Sequence, residues 1–371
     1  MSDYVVSARK YRPQTFDSVV GQKSITNTLK NAIKNKQLAQ AFLFCGSRGV
    51  GKTTTARILA KTINCFNPTD KIEACDNCDS CKSFNEGSSL NVYELDGASN
   101  NSVDDMRDLI DQVRISPLIG THKVYIIDEV HMLSTAAFNA FLKTLEEPPA
   151  HAIFILATTE KHKIIPTILS RCQIFDFQRI KIRDISEYLA HIATQESISA
   201  DPDALHLIAQ KADGALRDAL SIFDQIVSFC GTTITHKAVM ENLNVLDYNY
   251  YFRVVENALN EDIPANLILF NDVIDKGFDG HQFIIGLSEH FRNLLICKDP
   301  RTVNLLEVGE TAEAQYIEQA KKIDANFALR CLGVLSKTDV DYKSSKNQRL
   351  LVELALMQIC SVKAELEKKN D

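Results

Sequence analysis

Up to about residue 178, short continuous apolar runs alternate with longer stretches of helical period. The runs are AFLFCG (Ala41–Gly46), VYELD (Val92–Asp96), KVYIIDE (Lys123–Glu129), AIFILATT (Ala152–Thr159) and QIFDF (Gln173–Phe177). Unbroken runs of this length suit parallel strands covered on both faces. Helical stretches between them predict an α/β fold, a five-stranded parallel sheet with helices on either side. After Phe177 the strand signal stops. RDISEYLAHIATQE, DALHLIAQKA, ALRDALSIFDQIVSF and HKAVMENLN read as short amphipathic helices, and from about Asp247 the helices lengthen. There Phe283, Ile284, Leu287, Phe291, Leu294 and Leu295 share one helical face, the pattern of a bundle core. These shifts predict three domains, at residues 1–178, 179–243 and 244–371. No internal repeat or low-complexity segment appears, and the closing VKAELEKKND reads as a solvated helix end.

A chain of 371 residues exceeds one ordinary core. With 45% apolar and 24% charged residues it has the composition of a soluble globular protein. No apolar run reaches the ~18 residues that a membrane helix needs. The opening MSDYVVSARKYRPQTF lacks a signal-peptide core. The expected compartment is therefore the cytoplasm. A net charge of −7 argues against a chain coated in basic residues, but leaves room for a local basic patch or a ring of subunits.

The most informative stretch is FLFCGSRGVGKTTTARILA. A buried strand ends at Cys45, the pattern Gly46-x-x-x-x-Gly51-Lys52-Thr53 follows, and a helix opens. Gly46, Gly49 and Gly51 let the backbone turn tightly through Ser47, Arg48 and Val50, pointing N–H groups at phosphate oxygens. The next helix offers its N-terminus to the same anion. Lys52 is expected to bridge the β- and γ-phosphates, and the Thr53 hydroxyl to bind Mg²⁺, with Thr54 beside it. A chance glycine turn is the alternative, which the strand before and the helix after disfavour. VYIIDE then places Asp128 and Glu129 at the end of a second buried strand. Asp128 would hold the Mg²⁺ shell and Glu129 would polarise an attacking water. A lone acidic pair is commonly just a solvated strand end; the phosphate loop upstream is what gives it meaning.

Four of the ten cysteines crowd into NCFNPTDKIEACDNCDSC. Cys65, Cys75, Cys78 and Cys81 have the spacing C-x9-C-x2-C-x2-C, which lets four thiolates converge on one ion. That donor set suits a tetrahedral, structural Zn²⁺. An iron–sulfur cluster and a metal-free cluster remain the alternatives. Asp76, Asn77, Asp79 and Ser80 are turn formers expected to break helix or strand there. The insertion, at about residues 64–85, is too small to bury a core, so coordination is expected to stabilise it.

Together these motifs resemble AAA+ ATPases, and within them the gamma/tau subunits of bacterial DNA polymerase III, the motor of the clamp loader. YRPQTFDSVVGQ, GSRGVGKTT, the four-cysteine insertion, IIDEVHMLSTAAFNAFLKTLEEPP, ATTE, ILSRCQIFDF and GALRDALS carry the resemblance over about residues 4–230. GFDGHQFIIGLSEHFRNLL extends it more weakly. The resemblance implies an AAA+ P-loop domain with an inserted zinc module, a small helical lid and an all-α collar. It implies that Tyr11, Arg12, Pro13, Val19 and Val20 help wall the adenine pocket; an arm packed on the core is the competing reading. Thr158 or Thr159 becomes the first sensor of the γ-phosphate. Arg171 becomes an arginine finger donated to a neighbouring subunit, a role that in GTPases contributes about 10³–10⁵ in rate. Arg217 becomes a second sensor on the lid, with a surface pair to Asp218 as its bland alternative.

The expected cofactors are ATP, Mg²⁺ and Zn²⁺. The expected partners are other clamp-loader subunits, in a heteropentamer or homo-oligomer through the collar, together with the sliding clamp and primer–template DNA, with no membrane. Relatives place basic residues toward DNA in the loop that here reads Asn100–Asn101–Ser102, where uncharged donors would contribute less. Arg107 and Arg114 are either DNA contacts or solvated helix charges. The helicase- and polymerase-binding tail of the family does not follow Asp371, which fits a short form or a truncated piece. Relatives are catalogued as DNA-directed DNA polymerase subunits, a nucleotidyltransferase class. This chain offers no polymerase site, so hydrolysis is the expected chemistry. An AAA+ branch-migration or helicase motor, and a scaffold with a vestigial ATP site, are the rival readings.

Overall fold

The computed structural model describes residues 5–370, apart from residues 119, 244, 307 and 309. By contact density it forms two compact units, residues 1–199 with 208–228, and residues 200–207 with 229–371.

The first unit is built on a parallel sheet of β1 (Ala41–Cys45), β2 (Val92–Asp96), β3 (Lys123–Asp128), β4 (Ala152–Thr158) and β5 (Gln173–Asp176), in the order β2-β3-β4-β1-β5. The three inner strands are buried almost throughout, as continuous apolar runs require. The two edges are not. β2 and β5 mix exposed with more covered positions, as edge strands with a partner on one side only. Leu43, Tyr125, Ile127, Phe154 and Leu156 face one layer with Leu109, Phe138 and Phe141. Phe42, Phe44, Ile126 and Ile155 face the other with Leu29, Ile58 and Leu59. Successive residues thus point to opposite faces.

Helix α1 (Lys23–Lys34) and α2 (Lys52–Ile63) cover one side. Helices α3 (Asp79–Asn85) and α4 (Val103–Val113) come next in the chain, followed by α5 (Thr135–Glu146) and the short α6 (Pro166–Leu169). A helix at Asp79–Asn85 differs from the expected break. Cys78 takes the N-cap and Asp79 lies in the first turn, where a carboxylate favours the helix dipole, so these turn formers start a helix instead of preventing one. Helices α7 (Ile182–Gln195), α8 (Pro202–Lys211) and α9 (Leu216–Cys230) follow the sheet.

The second unit is mostly helical, although a short strand at Thr233–Ile234 departs from the expectation that strands stop after Phe177. Its longer elements are α10 (Tyr248–Leu259), α11 (Ile263–Asp275), α12 (Gly280–Ile296), α13 (Glu310–Lys322), α14 (Ala325–Tyr342) and α15 (Gln348–Asn370). Phe283, Ile284, Leu287, Phe291 and Leu294 of α12 are buried against Phe327, Leu335 and Leu356, with Leu295 at the margin. His290 sits in that core between the Tyr316 hydroxyl and Gln319 Oε1, each at 2.9 Å. Burial pushes its pKa down to about 4, so it is a neutral ring in ordinary buffer. No helix among the described residues is long and apolar enough to cross a membrane.

Candidate functional site

β1 runs into the loop Gly46–Gly51, and α2 begins at Lys52. Gly46 has φ +146°, and a Cβ there would sit 2.6 Å from the Phe177 carbonyl oxygen. Gly51, at φ +103°, holds the left-handed N-cap position of α2. Both positions exclude a side chain, the first by contact and the second by conformation. α2 has no side-chain cap, so its first N–H groups are open to an anion. Lys52 is buried and donates to the carbonyls of Gly46 and Ser47, both at 2.8 Å. Burial lowers its pKa, with Glu129 and Asp128 opposing. The loop thus holds a desolvated cation inside its own turn.

Sheet order brings the acids to the same place. Thr53 Oγ1 donates to Asp128 Oδ2 at 2.6 Å. The strand ends at Asp128, and Glu129 follows at φ +46°, a left-handed residue that turns the chain. Thr159 Oγ1 donates to Glu129 Oε2 at 2.9 Å, and its N–H does so at 3.3 Å. Thr158 is fully buried; its hydroxyl accepts from the Glu160 N–H and lies 3.0 Å from His131 Nδ1. The neighbouring threonines therefore do different things: Thr159 meets the acid, and Thr158 meets the histidine behind it. His131, 3.3 Å from Glu129 Oε2, escaped the sequence reading. Its signal was faint, a lone histidine two residues beyond the acid.

Lys52, Thr53, Asp128 and Glu129 border a cavity of about 730 Å³, a size typical of small-ligand sites, whereas Gly46, Ser47, His131, Thr158 and Thr159 lie outside its lining. Tyr11, Arg12, Pro13, Val19, Val20, Arg48, Gly49, Val50, Gly51, Lys52, Thr53, Thr54, Asp128, Glu129 and Arg217 all line it. Ile180, Leu216 and Leu220 add apolar wall that the sequence did not announce, and Asp96 adds an acid. Arg12 donates to Thr54 Oγ1 at 3.2 Å; burial, then the charge of Arg57, pushes its pKa below the arginine range. Cations crowded this way favour an anionic ligand. Tyr11 lines the cavity and also acts as packing, since its hydroxyl bonds Glu196 and its carbonyl accepts from Tyr188 at 2.8 Å.

Arg171 does not line the cavity. It follows α6, where Nη2 meets Glu146 Oε1 at 2.5 Å and Nη1 donates to the Thr167 carbonyl at 2.7 Å. Arg107 and Arg114 stand in exposed pairs with Asp104 and Asp111, at 2.9 and 3.3 Å. Ser102 caps α4, accepting the Asp105 N–H at 3.2 Å.

The sulfurs of Cys65, Cys75, Cys78 and Cys81 lie within 4.8 Å of one another, with Cys65 and Cys78 at 4.0 Å. Tetrahedral Zn–S bonds of about 2.3 Å would set such sulfurs roughly 3.8 Å apart, so the donor set fits zinc. The Cys75 N–H points at Cys65 Sγ (3.3 Å) and the Cys78 N–H at Cys75 Sγ (3.4 Å). Backbone N–H groups of Asn77 and Cys78 hold the Cys75 thiol down to about 6, which favours the thiolate that a metal binds.

Comparison with known proteins matches three family descriptions along the chain. They are "DNA polymerase III, delta subunit" at residues 21–181, "DNA polymerase III clamp loader subunit, ATPase lid domain" at 184–232, and "DNA polymerase III subunits gamma and tau domain III" at 234–371. The chain is 36% identical to DNA polymerase III subunit gamma of Buchnera aphidicola subsp. Acyrthosiphon pisum, over 97% of this chain and 99% of that one. It is 41% identical to DNA polymerase III subunit tau of Bacillus subtilis, over 96% of this chain but only 63% of the relative's length. A solved structure of the Thermotoga maritima RuvB Holliday junction branch migration motor is similar at TM-score 0.48 and 19% identity, covering 67% of this chain and 78% of that one. Likeness of that degree decides nothing about function.

Proposed function

The chain belongs to the family of DNA polymerase III gamma and tau subunits, and on that footing we propose that it is an ATP-hydrolysing motor subunit of a clamp loader. One observation carries the reading. Beneath a glycine loop that encloses Lys52, the hydroxyl of Thr53 touches Asp128, and the next residue, Glu129, is held by Thr159. That is the polar set that triphosphate hydrolysis needs, joined to a cavity of ligand size.

The α2 N-terminus and Lys52 bind the phosphates. Thr53 and Asp128 present two hard oxygens that suit Mg²⁺, which when bound neutralises charge on the β- and γ-phosphates. Glu129 accepts the proton of the attacking water, oriented by the Thr159 hydroxyl and N–H. Thr159, more than Thr158, has the position of a γ-phosphate sensor. Arg12 and Arg217 bring further positive charge, and Tyr11, Val19, Val20 and Val50 enclose the base. Arg171 acts in trans, completing the site of an adjacent subunit, which accords with its place outside its own cavity.

The three-domain division at 1–178, 179–243 and 244–371 belongs to the same proposal: motor with zinc module, lid, and oligomerising collar. The partners are other loader subunits, the sliding clamp and primer–template DNA. Hydrolysis, and no nucleotidyl transfer, is this chain's chemistry. The test is phosphate release by the assembled loader, with Mg²⁺ and with it withheld, in the presence and absence of clamp and primed DNA. Turnover should need Mg²⁺ and rise when clamp and DNA are both present; indifference to both would sink the proposal.

A further inference from the structure

Glu73 lies in the stretch closed by Cys65 and Cys75, yet its carboxylate leaves that module. Oε2 accepts the Phe16 N–H at 2.9 Å, and Oε1 accepts the Asp17 N–H at 3.1 Å and meets Lys30 Nζ of α1 at 2.7 Å. The group is buried. A carboxylate spanning two successive N–H groups caps the turn Phe16–Ser18 and fixes where the chain goes next. Next come Val19 and Val20, both on the cavity wall, and Val19 Cγ1 is 3.7 Å from where Gly51 would carry a Cβ.

The residue before Glu73 is under strain. Ile72 has φ +59°, which a β-branched side chain adopts only where its surroundings hold it. Two hydrogen bonds close the turn around it, Thr69 N–H to the Glu73 carbonyl at 2.9 Å and Ile72 N–H to the Thr69 carbonyl at 2.8 Å. Cys65 and Cys75 of the cysteine cluster flank it in the chain. A second tie runs from Asp76 to buried Lys61 on α2, the helix that opens at Lys52. The module thus grips both the apolar wall and the phosphate-loop helix.

We propose that Glu73 is a positioning residue through which the four-cysteine module sets the affinity of the cavity for adenine nucleotide. With a metal on the four sulfurs, the strained turn is held and Glu73 caps Phe16–Ser18. Without it, Ile72 relaxes, Glu73 withdraws, and Val19 and Val20 lose their support. Coupling of this kind is reciprocal, so nucleotide also retards metal loss. The inference rests on the nucleotide reading above.

The test uses the full chain and Glu73→Gln, which keeps size and removes charge. Zinc content, read by release to a chromophoric chelator, should stay at about one per chain. Affinity for a fluorescent ATP analogue should fall about tenfold, while affinity for inorganic tripolyphosphate, which needs only the loop, changes less than about twofold. Unchanged analogue affinity, or equal loss for both ligands, overturns the proposal. If Glu73→Gln does not fold, the parent chain decides: saturating ATP analogue should slow zinc loss to chelator several-fold, and no protection overturns the proposal. A parent chain that binds neither ligand overturns the nucleotide reading itself.

Discussion

Arg171 and Glu146 form a partly exposed pair at 2.5 Å, with 32% and 48% of their side chains accessible. A pair that open contributes about 0–1 kcal/mol to stability. Removing the guanidinium should therefore cost little in folding and much in turnover, if its target is a neighbouring subunit's triphosphate. Arg171→Ala is expected to keep its melting temperature within a few degrees and its ATP affinity within a few-fold. Stimulated phosphate release should fall by about 10³ or more. Loss of nucleotide binding by the variant would instead make Arg171 a structural residue. The same scale separates Thr158 from Thr159. Thr158 is the last residue of β4 and Thr159 lies just beyond it, where the chain turns toward Glu129, so residue type alone could not choose between them.

At the scale of elements, the cysteine module joins a strained turn to a short helix. Cys78 is both a candidate ligand and the N-cap of α3. Serine caps helices well, so Cys78→Ser removes a ligand while sparing the helix start. The expected result is loss of bound zinc, with faster hydrogen exchange across about residues 65–85 and unchanged protection in β1, β3 and β4. Zinc content equal to the parent's would remove Cys78 from the ligand set. The helix itself was missed in the sequence because Asp79 and Ser80 favour both turns and helix starts. What decides between them is whether an N-cap precedes, and only the folded backbone shows that.

For the whole molecule, the proposal that Arg171 completes the site of an adjacent subunit implies activity that depends on association. Phosphate release per chain should rise with protein concentration, and a turnover constant across a roughly hundredfold dilution would place all catalytic groups within one subunit. The phosphate loop, the acidic pair, the five strands and the cysteine cluster were legible from the chain alone, because each is written in contiguous residues whose spacing is set by backbone geometry. The partners that fold back from afar were not. Glu73 on Phe16 and Asp17, His131 behind Thr158, and Ile180, Leu216 and Leu220 on the cavity wall join segments remote in sequence. Local order determines which elements form and where their reactive ends lie. Which side chains those ends then meet depends on sheet order and on loops returning across it, a choice that close packing makes only once the chain is folded.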